Sequence, residues 1–126
     1  MPKVFEKLIT SKDFDFIGFN TSLEEFGRRS QISQKAIYRA QSVFEELGVQ
    51  IILPQLPDDF ALSVVAEYSQ DEETVTMQLK YSGEPFDPAT SDNMLSLKLA
   101  KNASQSMEHV RIREDRFANC VTVKIK

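Results

Sequence analysis

The chain has 126 residues, 41% of them hydrophobic and nine of them Phe, with a net charge of −4. That suffices for one domain around one core and excludes a disordered tract or a disulfide scaffold. Its single cysteine, Cys120, cannot form an internal bridge, and no apolar run is long enough to cross a bilayer.

The opening is interrupted by Asp13 and Asp15 and does not read as a signal peptide; a cytoplasmic location is expected. Charge is unevenly spread. Residues 95–126 hold seven Lys or Arg against three acids, a net +4, so the preceding part carries −8. Such a tail reads either as a solvated mixed surface or as a docking face for an acidic partner. With no basic patch interleaved with aromatics, nucleic acid is not an expected partner.

In chain order, residues 1–19 are aromatic but weakly periodic; Phe14, Phe16 and Phe19 suggest a short strand or an extended arm. Ser22 with Glu25 forms a capping-box pattern that predicts a helix start, and Gly27 predicts that this helix is short. Ser33 opens a stronger helix. Ala36, Ile37, Ala40, Val43, Phe44 and Leu47 fall on one stripe, which continues through Ile51 until Pro54 and Pro57 end it.

Strands are predicted at 60–68 and 74–81, the second with strict alternation that implies one covered face. A turn-rich segment, 82–92, follows. Leu95, Leu99 and Ala103 mark another helix, and 107–113 with 118–125 form a closing hairpin. The expected fold is α+β: a two-layer α/β sandwich, its mixed sheet mostly antiparallel, with helices on one face. Residues 1–32 form an arm and a short helix, 33–126 the main body, and the whole is treated as one compact domain.

Three segments, VFEELGVQII at 43–52, YSGEPFDP at 81–88 and MLSLKLA at 94–100, resemble in order and spacing the histidine-kinase-like ATPase family, closest to the anti-sigma-factor serine kinases, over roughly residues 33–126. Residues 43–52, VFEELGVQII, are similar to the family's E-x-x-x-N helix and put Glu46 at the general-base position and Gln50 at the Mg²⁺ position. Gln keeps the amide oxygen a hard cation takes, displaced by about 1.5 Å through its extra carbon. Residues 81–88, YSGEPFDP, resemble D-x-G-x-P-F-D-P, matching at Gly83, Pro85, Phe86, Asp87 and Pro88. Tyr81 stands where the family's Asp reads adenine. Residues 94–100, MLSLKLA, resemble G-L-G-L-x-L-V, with Met94 and Ser96 at the glycine positions that admit phosphates to a helix N-terminus. Residues 119–124, NCVTVK, resemble the family's terminal strand, a match that concerns the core.

The resemblance implies the family's fold with a pocket that has lost most of its ATP-binding residues. It therefore implies a regulatory or protein-interaction module. No cofactor is expected, with ATP and Mg²⁺ only if the pocket still works. By the same resemblance the candidate partners are a sigma factor, an antagonist protein, or a second copy in a homodimer. The alternative is an active ATP-dependent serine kinase, and a further one is a regulatory domain cut from a longer ATPase, transporter or signalling protein. Glu46 reads as catalytic base or as a solvated helix residue; Tyr81 as a plug in the adenine site or as a core aromatic. His109 reads as a surface or edge-strand imidazole and Cys120 as a packed thiol.

Overall fold

Alternating apolar residues build one five-stranded sheet. The computed structural model describes residues 3–126. Its strands are β1 (Lys3–Thr10), β2 (Ala61–Ser69), β3 (Thr74–Tyr81), β4 (Ser106–Glu114) and β5 (Phe117–Ile125), in the spatial order β1-β2-β3-β5-β4. Every neighbouring pair is antiparallel, so the sheet is not mixed. The helices are α1 (Phe16–Arg29), α2 (Gln34–Val43) and α3 (Met94–Asn102). The fold is the α+β two-layer sandwich expected.

One face of the sheet is apolar. Leu62, Val64, Ala66 and Tyr68 of β2, Val75, Met77, Leu79 and Tyr81 of β3, and Val121, Val123 and Ile125 of β5 are all buried. Their partners one residue along, such as Thr76, Gln78 and Lys80, are more exposed. The two-residue period therefore places the core between this face and the helices. Each large side chain buried there contributes about 1.5–3 kcal/mol.

The opening differs from its sequence reading in two ways. Residues 3–10 pair with Ala61–Tyr68 of β2, from Lys3 with Tyr68 to Thr10 with Ala61, and form an edge strand, whereas Phe16 and Phe19, read as strand or arm, lie in helix α1. Helix α1 begins at Phe16 rather than near Ser22. Its cap is Asp15, whose Oδ1 accepts the Gly18 N–H at 3.0 Å; an early carboxylate cap outranks the Ser22–Glu25 pattern because Phe19, Leu23 and Phe26 already form a buried stripe. Those aromatics make one cluster. Phe19 stacks on Phe44 at 3.8 Å between centroids, and Phe5 meets Phe19 edge-on at 5.6 Å.

Gly27 does not end α1, which runs on to Arg29. A Cβ there would lie 2.4 Å from Ile37 Cγ1, so its absence lets α1 approach α2 closely. Helix α2 is capped by Ser33, whose Oγ accepts the Ala36 N–H at 3.1 Å. It continues without a break as a π-helical stretch, Phe44–Ile52, and a 3₁₀ turn, Leu53–Gln55. The wider i→i+5 winding keeps Phe44, Leu47, Gly48, Ile51 and Ile52 all buried.

The stripe on α3 also departs from expectation. The residues it buries are Ser96, Leu97 and Ala100, whereas Leu95 and Leu99 face outward with 70% and 41% of their surfaces exposed. Among the described residues no helix is long and apolar enough to cross a membrane.

Candidate functional site

The segment following β3 is held to the sheet by side chains that point toward the helical layer. Register pairs Tyr81 with Leu62 on one side and Asn119 on the other. This places the phenol at the sheet's end, completely buried, beneath the 82–88 loop. Its hydroxyl donates to the Phe86 carbonyl.

Asn119 is equally buried and holds the same loop from the β5 side. Its Oδ1 accepts the Phe86 N–H at 2.9 Å, and its Nδ2 donates to the Glu84 carbonyl at 3.2 Å. These two bonds fix the amide's orientation. His109 Nε2, 2.8 Å from the same Oδ1, therefore acts as donor to it. The His109 ring lies over Tyr81 at 6.4 Å and 29°. Burial first, then the charges of Asp87 and Cys120, hold the Tyr81 phenol well above its ordinary value of 10.0.

The loop has its own supports. Gly83 adopts φ +96°, open to glycine at little cost, and a Cβ there would lie 3.0 Å from Pro57 Cδ. Pro85 is exposed, Phe86 packs half-buried against the core, and Pro88 is buried. Asp87 caps the short turn Pro88–Thr90 by accepting the Ala89 N–H at 2.9 Å.

At the start of α3 the main-chain donors of Met94, Ser96 and Leu97 are already engaged, while that of Leu95 has no partner among the described residues. Asn93 Oδ1 accepts the Ser96 N–H at 3.3 Å, the Asn93 carbonyl accepts the Leu97 N–H, and the Met94 N–H donates to the Asp92 carbonyl at 2.9 Å. Ser96 is buried, while the Met94 side chain is 69% exposed. Bulk at Met94 therefore does not fill a cavity at this turn; three of the amides are instead occupied by neighbouring residues.

Glu46 and Gln50, placed on one helix face by the sequence, sit in different surroundings. Glu46 is half-buried, with Oε2 shielded from solvent and lacking a hydrogen-bond partner; Gln50 is exposed. Among the described residues no group of three or more His, Cys, Asp or Glu side chains stands close enough to hold a metal ion. None of four pronounced surface depressions is lined by Glu46, Gln50, Tyr81, Phe86, Met94 or Ser96.

Tyr81, Gly83 and Phe86 are thus brought together by the fold, and Met94 and Ser96 share the α3 start. Asn119 and His109 were not singled out as site residues by sequence. The available signal was the strand register, since a polar Asn facing the core must find partners. No protein-family model matches this chain, and a search of curated proteins finds none similar to it.

Proposed function

We propose that this chain is a histidine-kinase-like ATPase domain whose nucleotide pocket has become structural, and that it acts as a regulatory or protein-interaction module. The observation that carries this reading is the Tyr81 hydroxyl turned onto the Phe86 carbonyl in a fully buried position. In the resemblance, that position belongs to the carboxylate that reads adenine.

The residues do not fit an adenine nucleotide with its Mg²⁺. A neutral phenol fills the place of the reader, and three of the α3 amides that would meet phosphates, those of Met94, Ser96 and Leu97, are bonded within the chain. Gln50 faces solvent apart from the half-buried Glu46. Each missing polar contact forfeits about 1–3 kcal/mol, so three such losses, about 3–9 kcal/mol together, weaken a micromolar complex of roughly 8 kcal/mol to about 0.1 mM or beyond. No catalytic step is assigned to Glu46.

What remains available to partners is surface. Candidate partner classes, by resemblance, are a sigma factor, an antagonist protein or a second copy. Calorimetric titration with Mg-ATP tests the reading. No saturable heat is expected up to about 1 mM; saturation below about 0.1 mM, near −5.5 kcal/mol, overturns it in favour of an active kinase.

A further inference from the structure

The outward apolar residues of α3 do not stand alone. Tyr38 of α2 is 57% exposed, and with Leu99 and Ala103 it lines a groove of about 560 Å³ where α2 and α3 pack together. Leu95 lies one turn before Leu99 on the same side of α3 and extends the apolar strip. The groove-lining residues span Gln34 to Ser42 on α2, about 12 Å at 1.5 Å per residue. That length accommodates the i, i+3/i+4 and i+7 side chains of a docked helix. Contiguous exposed apolar surface of this kind marks an interaction site more often than an isolated leucine does.

Charge selects the occupant. The groove lining contains Lys35 and Arg39 and no acid. Arg39 is held by donating to the Lys126 carbonyl at 2.6 Å. Lys98, exposed on α3 one turn before Asn102, is outside the lining but adjoins Leu99 in the chain and adds a cation near its edge. Glu45 and Glu46 lie a turn beyond Ser42, outside the lining, so positive charge is concentrated toward the Lys35 end.

We infer that this groove binds an acidic amphipathic helix of a partner protein, a conclusion that rests on the interaction-module reading above. A second copy of this chain is a poor occupant. Two-fold apposition of the groove would set Lys35, Arg39 and Lys98 against their own copies. The chain's own acidic helical segments are also spent: Leu23 and Phe26 beside Glu24 and Glu25, and Phe44 and Leu47 beside Glu45 and Glu46, are buried in the core.

The test uses two stapled, fluorescein-labelled helices about eighteen residues long, five turns, with identical Leu faces and either Glu or Lys on the polar face. Anisotropy measures affinity and ¹⁵N amide shifts locate the site. The acidic helix is expected to bind with Kd below about 0.1 mM, at least about tenfold tighter than the basic one, with shifts confined to 34–42 and 95–103. Leu99→Asp and Tyr38→Ser each weaken it by about tenfold or more, and Lys35→Glu with Lys98→Glu reverses the preference. No binding, equal binding of both helices, or no effect of Leu99→Asp overturns the inference. Shifts on another face sink the groove and leave the interaction-module reading standing, whereas tight Mg-ATP binding sinks that reading by itself. Concentration-dependent dimerisation abolished by Leu99→Asp assigns the groove to a second copy and also overturns it.

Discussion

Tyr81 and Asn119 face each other across β3 and β5, and between them they hold both polar groups of the Phe86 residue. The phenol binds the carbonyl and the amide oxygen binds the N–H. A loop that would otherwise hang over the end of the sheet is thereby fixed from two strands, with His109 bracing Asn119 from a third.

Asn119→Ala removes all three of these amide contacts and leaves the Phe86 N–H without its partner. The expected destabilisation is about 2–3 kcal/mol, read as a lower urea midpoint at unchanged m. Tyr81→Phe keeps the ring and loses only the hydroxyl bond, so it is expected to cost about 1 kcal/mol. Hydrogen exchange should quicken across 82–88 in both variants and stay unchanged in α1. Equal stability of Asn119→Ala and the parent protein would remove the network's structural role.

The phenol also sets an alkaline limit. Its folded value lies above the unfolded 10.0, so the folded state holds the proton more tightly. The contribution is complete below pH 10 and is lost as pH rises through the unfolded value toward the folded one. Stability is therefore expected to fall from about pH 10 upward, and less steeply in Tyr81→Phe. Absorbance at 295 nm should show the Tyr81 phenol ionising only as the protein unfolds, a step missing from Tyr81→Phe. Ionisation of that phenol in the folded protein near pH 10 would contradict this.

Gly27 and Ile37 form a second sensitive pair. Gly27→Ala gains about 1 kcal/mol of helix propensity but drives a methyl into Ile37, where overpacking costs about 1–3 kcal/mol. Net destabilisation is expected. In a double-mutant cycle with Ile37→Ala the two changes should couple favourably, because the truncated neighbour makes room. Additive effects would mean that α1 and α2 do not meet at this point.

The sequence displays much of this fold because sheet periodicity is local. Strands β3 and β5 follow from alternation alone, and Ser33 marks the start of α2. The first nineteen residues were less legible, since Phe5, Phe16, Phe19 and Phe44 converge from three elements and no local period records such a cluster. Gly27 was misleading for a related reason: its purpose is contact with a residue ten positions later, not the end of a helix. At the site, the loop residues stood out as a pattern. The partners of Tyr81 did not, because Asn119 reaches Phe86 across 33 positions and only strand register connects them. The outward turn of Leu95 and Leu99 was hidden too, as a helical stripe looks the same whether it meets the core or a partner.

On the proposed reading, the buried Tyr81 phenol and the bonded amides at the start of α3 leave no seat for a nucleotide. The most direct measurement is a ¹⁵N amide-shift titration of the full chain with Mg-ATP to about 5 mM, a concentration that would half-fill a site of only −3.1 kcal/mol. The resonances of Tyr81, residues 82–88 and residues 93–97 are expected to stay where they are. Saturable shifts concentrated on those residues would contradict it.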